Sequence, residues 1–425
     1  MTHARLPLRP RRLLLALAAI LSPLAALAQG AGATRLGLGE ADALLLDANP
    51  AILQARAAQA AARAGIDMAG ARPNPQLTLG STSTDPGRAG TRGFWNSWTD
   101  NTVRVDQLVE RGNKRDLRLA AADLNLSASG ADLANTIRLA RIDLANAWLD
   151  LRVAREIRRI ASENAALAQR AADAAEVRGK AGDLAGVDVA RFRADAARVA
   201  NDALQAELAH ARARIALAQL LGNRLPSAQL DTSDDWPTAA PSPAGDTGER
   251  PDLLAARQRT QQASALRELA RAQRTRDVSV GIQYEHAGAN ANNSYSTTSY
   301  GLSVSVPLFI NYDYRGEIAR SEADYTAAEQ QLLATRAAVG NEQARLQAEL
   351  DAARARHQRL RDVVLPAAEK AARGADVAIQ KGGMSLTDYL DTQRSLRAAR
   401  IETIQARADL ARAGLLLRLA GDTQP

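Results

Sequence analysis

The chain has no cysteine, which excludes a disulfide framework, thiolate metal sites and a lipid anchor on an N-terminal cysteine. Its four histidines, His3, His210, His286 and His357, stand singly, so no chelating cluster is expected. No HExxH, Walker, GxGxxG or GxSxG pattern occurs, and nothing places a nucleophile beside a base. These absences argue against an enzyme and against any cofactor or resident metal. Beyond residue 28 no apolar run reaches the ~20 residues that cross a bilayer as a helix. Any membrane insertion must therefore use strands closed into a barrel. Aromatic residues make up only 3% of the chain, so where they gather carries information.

The N-terminus reads as an export signal over 1–28. Arg5, Arg9, Arg11 and Arg12 precede the apolar stretch Leu13 to Leu24, and Ala26-Leu27-Ala28 forms a small-x-small cleavage site. A membrane anchor is the alternative, and the apolar run is short for it. The signal holds four basic and no acidic residues, so its removal takes the net charge from +7 to +3. A nearly balanced mature chain gives no reason to expect a nucleic-acid partner.

The mature chain repeats itself about 200 residues apart. Gly182-Asp183-Leu184-Ala185-Gly186-Val187-Asp188 is echoed by Gly382-Gly383-Met384-Ser385-Leu386-Thr387-Asp388, and Gln205-Ala206 by Gln405-Ala406. Asn49-Pro50-Ala51-Ile52-Leu53 is echoed, one residue out of register, by Arg250-Pro251-Asp252-Leu253-Leu254. The period is too long for a solenoid and points to a duplicated half. The expected division is a first repeat over 29–222, a linker over 223–248 and a second repeat over 249–425.

Each repeat carries a long helical hairpin, 114–221 in the first and 315–419 in the second. Lys114 to Val177 holds no proline, and Arg315 to Gln380 holds only Pro366. At the standard rise each of these first arms would run ~95–100 Å. Leu133, Ile137, Ala140, Leu144, Trp148 and Leu151 keep a three-and-four spacing typical of coiled-coil packing, as do Leu346, Leu350, Ala353, His357 and Leu360. An ordinary bundle is the other reading, against which stands the ~12-residue norm for helices in compact domains.

Four short segments alternate apolar and polar residues, and strands are expected at about 76–81, 102–110, 277–285 and 301–309. Period alone favours a half-buried soluble sheet. Two further features favour a membrane barrel with aliphatics toward lipid. Phe94, Trp95, Trp98, Tyr284, Tyr295, Tyr300, Phe309, Tyr312 and Tyr314 crowd around the strands, as an interfacial girdle would. The connecting stretches Thr82 to Asn101 and Ala287 to Ser299 are long and rich in Gly, Asn, Ser and Thr. Four strands cannot close a membrane barrel, which takes about eight, so strands must be pooled between chains.

Asn49-Pro50 and Arg250-Pro251-Asp252 at helix starts, Asn74-Pro75 before a strand, Val304-Ser305-Val306-Pro307-Leu308-Phe309 before a long helix, and the Gly382 to Leu390 turn occur here in order and in duplicate. In that arrangement the chain resembles the TolC-type outer membrane efflux proteins, from about Leu36 to Gly421. Val105 to Arg115 is similar to a segment of the heavy-metal, CzcC-like branch, although Leu108 stands where that branch usually has proline. The resemblance implies a homotrimer whose protomers pool four strands each into one 12-stranded outer-membrane β-barrel, continued by an α-barrel tunnel in the periplasm. It implies a passive conduit in a tripartite efflux system, partnered by a periplasmic adaptor (membrane fusion protein), an inner-membrane pump of the RND type and outer-membrane lipid. Heavy-metal cations are then the cargo class that the branch suggests.

Several residues follow as candidates. Gly182 and Gly382-Gly383 suit helix ends, where glycine tolerates the left-handed backbone. Ser385 and Asp388 have capping-box spacing. Asp183, Asp188, Asp388 and Asp391 ring the periplasmic tip or dock the adaptor; for Asp188 and Asp388 the alternative is simply an acid in a first helical turn, where the macrodipole favours it. Arg104 and Asp106 face either the barrel lumen or the space just outside the membrane. Pro366 removes a helical hydrogen bond and should kink its helix, where the first repeat has Ala166. Trp236 reads as a packing anchor in a linker of little regular structure. A periplasmic adaptor or structural coiled-coil envelope protein is the competing function. It would not need amphipathic strand pairs flanking both hairpins.

Overall fold

A computed structural model describes residues 34–82, 100–233, 235–237, 250–289 and 295–421. The export signal, Phe94, Trp95 and Trp98 lie outside the described residues. The chain divides into two compact units, and these do not follow the two sequence repeats. Among the described residues, one unit draws on 34–50, 140–237 and 346–419 and the other on 51–139, 250–345 and 420–421, so each takes parts of both repeats. Among the described residues, no helix is long and apolar enough to cross a membrane.

The elements run β1 (Thr34–Leu36), α1 (Leu38–Ala48), α2 (Pro50–Gly70), β2 (Gln76–Thr82), β3 (Asp100–Val109), α3 (Lys114–Lys180), α4 (Gly186–Leu220), β4 (Leu230–Thr232), α5 (Pro251–Ala272), β5 (Val278–Ala287), β6 (Thr297–Ser305), α6 (Arg315–Arg359), α7 (Leu365–Gln380) and α8 (Leu386–Gly421). The chain is mostly helical, and α3 alone holds 67 residues. Pro251 opens α5 at its first helical position, where the missing N–H leaves nothing unsatisfied.

In the first unit α3 turns into α4 and α7 turns into α8. Arg158 pairs with Glu207 at 3.4 Å and Arg193 with Glu176 at 3.7 Å, which sets α4 antiparallel to α3. Arg356 meets Asp409 at 3.1 Å and Gln393 donates to Asp376 at 3.0 Å, so α8 runs antiparallel to α6 and α7. The buried seam is rich in small residues: Ala140, Ala145, Ala161, Ala172 and Ala175 on α3, and Ala399, Ala406, Ala408, Ala411 and Ala413 on α8. Small side chains let the backbones approach closely, and Leu144, Trp148, Leu149 and Leu151 supply the larger buried area.

The described part of the linker, 223–233 and 235–237, carries regular structure. Ser227–Gln229 forms a 3-10 turn, and β4 pairs in parallel with β1. Their amide ladder gives an otherwise loop-like segment backbone partners. The Trp148 indole donates to the Leu36 carbonyl at 3.0 Å, Arg155 to the Thr232 carbonyl at 2.7 Å and Arg214 to the Leu230 carbonyl at 2.8 Å. The Trp236 ring lies between the guanidiniums of Arg152 and Arg407, 5.4 and 4.8 Å from its centroid, so cation–π contacts hold it.

Two expectations need correction. β6 ends at Ser305 and does not extend to 309, because Pro307 has no N–H for the ladder. The second hairpin's first arm is not one α-helix. Leu360–Val364 forms a π turn, with the Leu365 N–H bonded to the Leu360 carbonyl, and α7 restarts with Pro366 in its first turn. A proline here would clash with the carbonyl four residues back, and the widened turn accommodates it.

The second unit holds the sheet β2-β3-β5-β6, antiparallel throughout. The Lys114 ammonium, buried at the start of α3, bonds the Thr275 carbonyl at 2.8 Å and Asp277 at 2.8 Å, joining α3 to the entry of β5. Arg118 grips Glu110 with two bonds and holds its carboxyl below the ordinary range. Arg250, buried before α5, pairs with Asp252 and with Glu342 at 2.8 Å.

Candidate functional site

The register sorts the four strands into two unlike faces. One face stacks Leu79, Val103, Tyr284 and Tyr300 in one row, Leu77, Val105, Ile282 and Leu302 in the next, then Gln107, Val280 and Val304. It carries no Asp, Glu, Lys or Arg at these positions, and His286 at its end has Nδ1 3.2 Å from Thr298 Oγ1. Its aliphatic and aromatic side chains are open: Leu79 is 70% exposed, Leu302 75% and Tyr300 83%. Tyr284 and Tyr300 touch edge to face at 5.7 Å.

The opposite face carries the polar alternates. Its rows are Gly80, Thr102, Glu285 and Ser299; Thr78, Arg104, Gln283 and Gly301; and Gln76, Asp106, Gly281 and Ser303. Arg104 donates to Asp106 through Nε at 2.7 Å and Nη2 at 2.8 Å, and Nη2 also reaches Ser303 Oγ at 3.0 Å. A soluble sheet would bury the aliphatic face and expose the polar one. Here the aliphatic face is bare.

Beyond β6, Phe309 and Tyr314 meet at 5.2 Å, Tyr312 lies 6.2 Å from Tyr314, and Arg276 sits over the Phe309 ring at 5.5 Å. This cluster stands at the end of the sheet where β6 hands over to α6.

The hairpin turns form the second feature, within the first unit. They are built alike at the 200-residue offset. Gly182 has φ 83° and Gly382 φ 70°. Gly182 N–H bonds Gly179 and Asp183 N–H bonds Arg178; Gly382 N–H bonds Ile379 and Gly383 N–H bonds Ala378. This double closure satisfies the last carbonyls of both descending helices and requires a left-handed residue, which glycine supplies.

The restarts differ. Ser385 Oγ accepts from the Asp388 N–H at 3.2 Å and donates to its carboxylate at 2.7 Å, whereas Ala185 offers α4 no side-chain cap. Asp188 lies 3.6 Å from Arg191, whose guanidinium reaches Thr387 Oγ1 at 3.4 Å. Asp391 pairs with Arg394 at 2.9 Å. Asp183 is exposed. The structure thus joins Asp188 and Asp391, through arginines, to the facing helix, and keeps Asp388 within its own turn.

Asp195 is the residue that sequence reasoning missed. It is buried on α4, 5% exposed, and accepts from Arg394 Nη2 at 3.0 Å and Nε at 3.3 Å, with Arg397 3.6 Å away. An acid seven residues after Asp188 carries no motif, and only the packing of α8 on α4 distinguishes it. His210 was equally silent: it is buried, and burial with Arg158 and Arg214 nearby pushes its imidazole below the usual value. Among the described residues no group of histidines and carboxylates could hold a metal ion.

One helical face is also left open. Leu204, Leu208 and Ile215 form an exposed stripe on α4. Two hundred residues on, Ala408 and Leu415 are buried and Ile404 is half-buried.

Long helical hairpins, together with a small antiparallel sheet that bares one aliphatic face, define a class of outer-membrane channel subunits. The chain belongs to the outer membrane efflux protein family, whose model matches residues 43–223 and 247–421. It is 27% identical, over 79% of its length and 78% of the relative's, to the cobalt-zinc-cadmium resistance protein CzcC of Cupriavidus metallidurans. The fold is shared with the outer membrane protein VceC of Vibrio cholerae, at a TM-score of 0.74 and 22% identity, covering 90% of this chain and 96% of that one. It is also shared with a membrane protein from Pseudomonas aeruginosa, at a TM-score of 0.77 and 20% identity, covering 91% of this chain and 93% of that one. Family membership sets aside the adaptor alternative.

Proposed function

We propose that three copies of this chain form the outer-membrane channel of a tripartite efflux system and pass cargo passively from a periplasmic adaptor and an RND-type inner-membrane pump to the exterior. The observation that carries this reading is the sheet with a bare aliphatic face backed by a charged one. Among the described residues, the edge strands β2 and β6 each pair with one strand only. Joined edge to edge, three copies would satisfy those edges and form one twelve-stranded wall, aliphatic toward lipid and polar toward a wet lumen. The Phe309, Tyr312 and Tyr314 cluster suits the headgroup level.

The open stripe on α4 supports the same assembly. The duplicated chain covers the equivalent face of α8 but leaves Leu204, Leu208 and Ile215 bare. A second copy presenting its other repeat would cover them, and a head-to-tail contact of this kind closes into a ring. The turns at Gly182 and at Gly382-Gly383, with Asp183, Asp188, Ser385, Asp388 and Asp391, are then the periplasmic tip, the place for gating and adaptor docking. Pro366 and its π turn give one arm of the second hairpin a bend that Ala166 does not demand of the first.

Cobalt, zinc and cadmium ions are the cargo suggested by the name of the Cupriavidus relative. A conduit need not bind what it passes, so the scarcity of histidine fits that cargo. Purification tests the reading. The protein should require detergent for extraction and run as a trimer that heat dissociates. A stable monomer in detergent-free buffer would refute it. Loss of the gene should sensitise cells to the three metals, and unchanged tolerance would remove the cargo assignment alone.

A further inference from the structure

The polar face of the sheet holds four charged side chains among the described strand residues: Asp100, Arg104, Asp106 and Glu285. Two of them cancel. Arg104 clasps Asp106 with two bonds and ties itself to Ser303, so the pair lies along the wall across β3 and β6. Gly281 of β5 lies between them in the register. A Cβ there would overlap both the Asp106 carboxylate and Ser303 Oγ, so the bare backbone is the seat on which the pair rests. Glu285 has a neutral neighbour instead, the Gln283 amide at 3.3 Å.

We propose that the Arg104–Asp106 clasp, seated on Gly281, is a selectivity-determining element of the barrel. It silences one acid and one base at its own level and leaves the field of that stretch of the wall to Glu285. The wall then favours small cations over anions. This rests on the channel reading, in which the polar face lines the lumen and three copies multiply each charge. Ionisable groups within membrane-spanning strands that face water and pair with one another mark an ion path.

The test is the K⁺/Cl⁻ permeability ratio of the full-length protein in planar bilayers, taken from reversal potentials under a salt gradient. Arg104→Gln uncovers one carboxylate per copy and should raise the ratio by about threefold. Asp106→Asn uncovers one guanidinium per copy and should lower it by about the same factor. Gly281→Ala changes no charge but unseats the clasp, and should also move the ratio. Opposite shifts for the two single variants support the proposal; shifts of one sign, or none, overturn it. If a single variant fails to insert, Ser299→Asp adds a carboxylate on the same face without touching the pair, and an unchanged ratio there overturns the proposal equally. Wild-type protein that forms no conducting pore would instead sink the channel reading itself.

Discussion

Asp195→Ala is the substitution with the most calculable consequence. In the wild-type protein the carboxylate is buried on α4, and its oxygens meet two guanidiniums of α8. Breaking a fully buried ion pair by removing one partner costs about 3–5 kcal/mol. Arg394 is 44% exposed, so water takes up part of that loss, and about 1–3 kcal/mol remains. The closed contact between the α4 and α8 starts should therefore weaken by a factor of roughly 5–150. Amide exchange reads this directly. Protection over 188–199 and 386–397 should fall by that factor, while protection in the sheet stays as it was. In the proposed channel, open-state occupancy should rise in parallel. A double-mutant cycle with Arg394→Ala should return a coupling of at least 1 kcal/mol, which is on the order of what contacting residues show. Additive effects, or exchange that does not change at the hairpin starts, would refute the clamp.

Lys114→Met should destabilise the second unit by about 2–3 kcal/mol, because it strands the Asp277 carboxylate and the Thr275 carbonyl. The urea midpoint should drop with the slope retained. Ser385→Ala should cost about 1 kcal/mol at the start of α8, read as faster exchange at Asp388 and Tyr389 with α4 unaffected. His210 faces Arg158, Arg214, Glu207 and Asp231, and its folded-state value is depressed below 6.5. The unfolded chain then binds the proton first, so His210 contributes stability that is full above 6.5 and is lost as pH falls toward the folded value. Wild-type melting temperature should decline from pH 7 to pH 5, and His210→Leu should flatten that decline.

Much of this molecule was legible in one dimension. The hairpins could be read because Lys114 to Val177 combines a three-and-four apolar rhythm with freedom from proline. The turns could be read because Gly182 and Gly382 recur at a fixed offset within matching sequence. The strand pairs are legible from alternation, although alternation alone runs the last strand four residues past Ser305. The β1–β4 pairing was not legible, since Thr34–Leu36 and Leu230–Thr232 are three residues each and separated by nearly the whole first repeat. The π turn was not legible either: Pro366 announced a disturbance in its helix, but not the form it takes.

Local pattern by itself settled the kinds of element, the duplication and the family, because helix period, strand alternation and turn glycines are properties of neighbouring residues. Partnership was decided only in three dimensions. At the offset of 200, Arg394 aligns with Ala194 and Asp195 with Ser395, so the clamp is absent from the repeat and exists only where α8 crosses α4. Whether Arg104 and Asp106 act as two charges or as none likewise depended on a register that seats them over Gly281. Charge compensation falls with distance in space, and spacing along the chain does not encode that distance.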